Sequence, residues 1–300
     1  MGSLALSNAS FNPVALYEEQ IAKKGFGNTK VLFMLCCDVL TKTTFEKVRQ
    51  FQKQGGIVVA DRYLLPGIIP DLVLEEVLRT RDIKVFKKDL DALAARIKKL
   101  LAPYVKPYAS SSNKDYRFHT RSHKGNDIVF VINDKRTFGD YVGQFGLVME
   151  KGLPNAGDVV IRRKNTGAVY DLVHHKKVPF RSRNGETVLQ VKTPAAEGHI
   201  FLLTEKPLKD LRLSLPASVK QGSAFTIKAE LPSYSSYLPI EVLVLDPAGK
   251  RSDESCFATL KDGKYVQNAL IPGNAPKGKW SVRIRNLADG KVIHKNLIVQ

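Results

Sequence analysis

Between residues 30 and 62 the hydrophobic pattern changes twice. "KVLFMLCCDVL" is an almost unbroken apolar run, as expected of a parallel strand covered on both faces. "TKTTFEKVRQFQKQGG" then takes up a helical period, with Phe45, Val48 and Phe51 on one face. Thr43 and Glu46 fit a capping box, and Gly55 and Gly56 stop the helix. "IVVADRY" returns to a buried strand, so the stretch predicts a βαβ unit with a right-handed crossover. Upstream, "PVALYEEQIAKKGFG" reads as a helix, with Val14, Leu16, Tyr17 and Ile21 mostly to one side. Downstream, "PDLVLEEVL" reads as a short helix. "KKDLDALAARIKKLLAPYV" reads as a long helix, with Leu90, Leu93, Ala94, Ile97, Leu100 and Leu101 at three-to-four spacing until Pro103 and Pro107 end it.

After the polar stretch "ASSSNKD" the period falls to two. "YRFHTRSH", "DIVFVIND", "DVVIRRK", "GAVYDLV", "TVLQVKT" and "GHIFLLTE" are short strands separated by Gly, Asn and Pro turns, an antiparallel sandwich pattern. Beyond "TEKPLKD", a further series from "LRLSLPASV" to "KVIHKNLIV" suits an immunoglobulin-like sandwich, with hairpin chemistry in "DPAGK" and "LKDGKY". The fold class expected is therefore a partial flavodoxin-like parallel α/β domain followed by two antiparallel β-sandwich domains. The domains expected are 1–108, a linker at 109–114, 115–206 and 207–300.

Composition adds charge and excludes little else. The 300 residues are 43% hydrophobic and 25% charged, enough for each domain to bury a core. Neither an apolar run of bilayer-spanning length nor a signal peptide is visible, so no membrane partner is expected and localisation stays open. Cys36, Cys37 and Cys256 form no metal-ligand spacing and read as buried free thiols. The net charge of +18 is spread along the chain and opens a rival reading, a basic module for anionic polysaccharide or nucleic acid. Nucleic acid is the weaker of these two, because the basic residues form no single arm or tail.

Candidate chemistry is sparse. In open α/β sheets ligands sit beyond the carboxyl ends of the strands, here at Cys37, Asp38, Asp61 and Arg62, and Asp38, Asp61 and Arg62 are the ligand-facing candidates. A cysteine there would suit an amidotransferase, but the chain offers neither a glycine elbow nor a following His-x-Glu; the first histidine is His119. Without a glycine-rich phosphate loop, no nucleotide or other cofactor is expected. His174 and His175 face opposite sides if they lie in a strand, and His119 and His123 would stand about 13 Å apart, so no metal site is expected. Asp134, Asp140 and Glu150 are close in sequence, but carboxylates on one segment lack the rigid frame that an acid/base pair needs. Trp280 alternates with Val282 and Ile284 and reads as core, which leaves Tyr141 and the tyrosines of "YSSY" as freer aromatics for a sugar.

"KVLFMLCCDVLTKTTFEKVRQFQKQGGIVVAD" resembles the strand, helix, Gly-Gly, strand segment of the beta-galactosidase trimerisation domain, a flavodoxin-like, amidotransferase-related domain without a nucleophile. "FVINDKRTFGDYVGQFGLVMEKGLP", "AVYDLVHHKKVPF" and "GHIFLLTE" resemble the small β-domain that follows it in large bacterial glycoside hydrolases. "DPAGK" and "IPGNAPKGKWSVRIRNLADGK" resemble the macroglobulin-like or immunoglobulin-like module of the same architectures. In that family the catalytic glutamates sit on a (β/α)₈ barrel of about 250 residues, which this chain does not contain. The resemblance therefore implies a non-catalytic C-terminal accessory or oligomerisation region acting in carbohydrate metabolism. The expected partners are further copies of the chain or a catalytic barrel, with a carbohydrate ligand possible. A degenerate amidotransferase-like enzyme is the remaining rival. "SLALS" stands where the leading strand of the trimerisation-like sheet is expected.

Overall fold

The protein is described by a computed structural model covering residues 2–74, 83–138, 142–143, 146–147 and 150–300. Side chains are described except at 83, 84, 138, 142, 143, 146, 147 and 150. The chain is β-rich and forms two compact units, Met1–Phe118 and His119–Gln300.

The first unit is built on three parallel strands, Val31–Met34, Ile57–Ala60 and Leu72–Val73, side by side in that order. Alternation along Ile57–Ala60 feeds two cores, because successive side chains leave opposite faces of a sheet. Val59 joins Leu90, Leu93, Ala94 and Ile97 of helix Ile83–Leu101. Val58 and Ala60 join Val48 and Phe51 of helix Lys42–Lys53.

Several local expectations need correction here. The N-cap of Lys42–Lys53 is Thr41, in extended conformation, whose hydroxyl accepts from Thr44 N; Thr43 lies inside the helix, so the Thr43/Glu46 box does not form. The apolar run from Lys30 is strand only to Met34, because Cys36 takes a left-handed φ of +54° and turns the chain out of the sheet. The expectation of buried thiols fails at Cys36, which is exposed, while Cys37 and Cys256 are half-buried and pack against hydrophobic cores. "SLALS" belongs to helix Gly2–Asn8, which buries Ala5 and Leu6 in the same core as helix Ile83–Leu101. The helix expected around residues 13–27 is confined to Glu18–Lys24, since Tyr17 is extended and Val14 faces solvent. "PDLVLEEVL" begins as edge strand Leu72–Val73, and its residues 75–78 lie outside the described residues.

The second unit is a set of mainly antiparallel sheets. In one, Lys176–Val178, Ala168–Asp171, Gly198–Thr204 and Asn126–Asn133 are neighbours in that order, with residues 119–123 of the strand Tyr116–His123 at the edge. In another, Arg181–Arg183, Glu186–Thr193 and Asn155–Ile161 are neighbours. The C-terminal part is one eight-stranded sheet, running from Arg212–Ser214 at one end to Ser218–Val219 at the other. One hydrophobic cluster runs from Ala168, Tyr170 and Leu202 through Leu238, Ile240 and Val282 to Trp280. Trp280 is 3% exposed and donates its indole N–H to Pro276 O at 2.8 Å. Both hairpin signals form turns: Asp246 Oδ1 accepts from Ala248 N and Lys250 N, while Asp262 and Gly263 take φ of +51° and +74°. Of the freer aromatics, Tyr234 is buried and donates to Tyr237 O, Tyr237 is exposed, and Tyr141 lies outside the described residues.

Candidate functional site

Among the described residues, a compact group of titratable side chains gathers around Asp171, at the end of strand Ala168–Asp171. The strand pairs with Gly198–Thr204 in the register Asp171↔Phe201, and Leu172 N extends the ladder to Ile200 O at 2.8 Å. His199 is thereby carried to the level of the turn that follows Asp171, and the same turn brings back His174. Asp171 is 1% exposed, so its carboxylate must be satisfied from within. Its Oδ1 accepts from Val173 N at 3.0 Å and His174 N at 3.3 Å. Its Oδ2 accepts from Nδ1 of His174 and Nδ1 of His199, both at 2.7 Å. The second ring nitrogen of His199 donates to Lys192 O at 3.1 Å, and its ring stacks on Phe201 with centroids 5.2 Å apart.

The protons follow from the partners. A carboxylate and a carbonyl oxygen only accept, so His199 donates from both nitrogens and is an imidazolium. The hydrogen bond to Asp171 raises its pKa above the ordinary 6.5; burial opposes this and the bond to Lys192 O adds to it. For Asp171, burial pushes upward, but the hydrogen bonds from His199, His174 and Val173 N together outweigh it and hold the carboxyl at about 2. His174 donates from Nδ1, and 40% of its side chain is exposed. The arrangement can pair charge, orient an imidazole for proton transfer, or present two nitrogens and one oxygen to a cation.

At the strand ends of the first unit the structure brings Asp61 and Cys36 together. Asp61 is buried; its carboxylate accepts from Cys36 N at 3.0 and 3.2 Å and from Tyr63 N at 3.1 Å, and the Cys36 thiol lies 3.5 Å from Oδ2. The carboxylate clasps two loops, an arrangement strengthened where Leu65 N donates to Cys37 O at 2.9 Å. Arg62 is exposed, donates to Tyr63 OH at 2.8 Å and lies over the Tyr63 ring. Asp38 is exposed. Burial, and then the carboxylate of Asp61, push the Cys37 thiol above its ordinary pKa of 9.0, the wrong direction for a nucleophile. Native alkylation is therefore expected to label Cys36 readily and Cys37 slowly, with the Cys37 rate climbing only at alkaline pH. Equal rates for the two at neutral pH, measured by peptide mapping, would contradict this environment.

The remaining candidates do not converge. His119 packs on Phe130 with centroids 5.8 Å apart, and burial lowers its pKa. His123 Nδ1 contacts Ser236 Oγ at 3.0 Å, and His175 Nδ1 contacts Leu287 O at 2.7 Å. Asp134 pairs with Arg136 at 3.5 Å; Asp140 lies outside the described residues, as does the side chain of Glu150. No described helix is long and apolar enough to cross a membrane. The sequence weighed His174 only against His175 beside it, whereas the structure sets it against His199 of another segment, with ring centroids 5.2 Å apart. Only half of this was accessible from sequence: "YDLVHH" places an aspartate three residues before a histidine across a turn, but His199 comes 25 residues later and is brought in by strand pairing.

No protein-family model and no curated protein matches the chain. Among solved structures it is similar to alpha-L-fucosidase isoenzyme 2 from Paenibacillus thiaminolyticus, at 11% identity over 69% of this chain and 44% of that one, with a TM-score of 0.47. It is similar to a beta-glucosidase from Listeria innocua at 11% identity over 96% of this chain and 39% of that one, with a TM-score of 0.24. It is also similar to a superoxide reductase (neelaredoxin) from Ignicoccus hospitalis at 12% identity over 31% of this chain and 82% of that one, with a TM-score of 0.25. Distant glycoside hydrolases thus stand among its structural neighbours, and the chain spans less than half the length of either. Likeness at this level assigns no activity, which has to be argued from the residues.

Proposed function

We propose that this chain is a non-catalytic accessory region of a glycoside-hydrolase-like protein, whose first unit is a flavodoxin-like association element. The order of the three sequence resemblances supports this reading. So does the state of Asp61, the observation that carries the non-catalytic part. The acid at the strand end, where an α/β protein would place a reacting group, is committed to the amides of Cys36 and Tyr63. The neighbouring thiol of Cys37 is held protonated. Beside this clasp the loops present Val39, 80% exposed, and Tyr63 to the outside, apolar surface suited to a second copy or a barrel.

The purified chain is expected to hydrolyse no aryl-glycoside and to self-associate, or to bind a catalytic barrel supplied in trans, in a way that Val39→Asp weakens. Turnover abolished by a single carboxylate substitution would overturn the non-catalytic reading. Sedimentation as a monomer at every concentration, with no barrel binding, would overturn the associative one.

A further inference from the structure

We propose that Asp171, His174 and His199 form a binding site for one divalent transition-metal ion of the zinc class. The ligand atoms, one from each residue, lie within 4.8 Å of one another. The division of labour within Asp171 is what a ligand carboxylate requires. Oδ1 is held by the backbone N–H groups of Val173 and His174, which fixes the plane of the group and leaves Oδ2 facing both imidazoles. His199 has the outer contact typical of a metal-bound histidine, with the far ring nitrogen donating to a backbone carbonyl, here Lys192 O at 3.1 Å. That contact leaves Nδ1 as its only ligand atom. The His174 side chain is 40% exposed, so water can reach the site from that side to complete the coordination shell.

The distances fit with little movement. Zinc stands about 2.0–2.2 Å from imidazole nitrogen and carboxylate oxygen, which sets neighbouring donors roughly 3.0–3.5 Å apart. The present Nδ1 to Oδ2 separations of 2.7 Å are hydrogen bonds, so each need open by only about half an ångström when the proton between them leaves. His199 holds a proton on each nitrogen and gives up the one on Nδ1. His174 keeps its proton but moves it from Nδ1 to Nε2, so that it stays neutral. One proton is therefore released per ion bound, and the bound set is one carboxylate with two neutral imidazoles. Two nitrogens and one oxygen suit zinc, nickel or copper rather than magnesium or calcium, and the absence of a thiolate argues against a soft-metal site. The positive charge of Lys176, which acts on His199, weakens the affinity for a cation. The site is independent of the accessory reading of the whole chain.

The test is calorimetric titration of the chelator-treated full-length chain with zinc chloride in two buffers of different ionisation heat. The expected result is one ion per chain, release of about one proton, and an affinity reduced at least about tenfold in His174→Ala. His294→Ala, at an exposed histidine elsewhere in the second unit, should leave the titration unchanged. Because His174 lies at the surface, its removal is not expected to disturb the fold, and circular dichroism checks this. Imidazole nitrogen shifts in the unmodified protein give a readout that needs no variant: both rings should respond at Nδ1. Absence of saturable binding at one equivalent, or binding that survives His174→Ala unchanged, would overturn the proposal and leave the cluster as an internal charge pair.

Discussion

Replacing Asp171 by alanine is expected to destabilise the second unit by about 3–5 kcal/mol, the scale for removing one partner from a buried ion pair. The substitution strands the amides of Val173 and His174 and leaves the His199 imidazolium, whose side chain is 11% exposed, without its counter-charge. His174, being more exposed, accounts for little of the loss. The same pair predicts a pH optimum for the metal-free protein. His199 titrates above 6.5 in the folded state, so its contribution is complete below that pH and is lost as the pH rises through the raised value. Asp171 titrates at about 2 instead of 3.8, so its contribution, on the order of 2 kcal/mol, is complete above about pH 3.8 and is lost as the pH falls toward 2. Stability measured by urea unfolding in the presence of a chelator should therefore peak between these limits. His199→Gln should flatten the alkaline limb, and Asp171→Ala should lower the peak and flatten both limbs. A wild-type curve that keeps rising from pH 6 to 8 would show that His199 is not the charged partner.

The contrast between this cluster and the rest of the chain shows what a sequence discloses. Patterns set by one element alone are legible: the long helix ending at Leu101, the Asp-Gly turn at Asp262 and Gly263, and the buried face of the Trp280 strand all follow from spacing and turn chemistry. Boundaries decided by competition are not. Nothing in "VLFMLCC" shows that the strand yields at Cys36, because the left-handed turn there is held by a carboxylate 25 residues away. "SLALS" is apolar enough for strand or helix, and packing against Leu90 and Ile97 decides for helix. His199 is invisible as a partner of His174 until the register of two antiparallel strands is known. Asp61 lies between these cases: its place at a strand end is predictable, but its occupation by two amides is not.

That occupation makes Asp61→Ala the second substitution of large expected effect, about 3 kcal/mol against the first unit. Hydrogen bonds to a charged group contribute about 1.5–3 kcal/mol each, and alanine leaves the amides of Cys36 and Tyr63 without the acceptor that closes their turns. Cys36 feels the loss most, since its φ of +54° is unfavourable for a residue with a Cβ and is held by this bond. Asp61→Asn, which keeps one acceptor, should cost less than half as much. Because the chain forms two compact units, denaturant should then resolve an earlier transition of the first unit while that of the second stays in place. The thiols supply a separate readout. Asp61 is the second-largest cause of the raised Cys37 pKa, after burial, so its removal should move the Cys37 labelling profile toward lower pH. An Asp61→Ala protein with unchanged stability and an unchanged Cys37 profile would mean that the carboxylate is not the clasp, and would reopen the strand ends to a ligand. A destabilised protein with an accelerated Cys37 ties the two loops to this one side chain and removes Asp61 from the acids that chemistry at the strand ends could use.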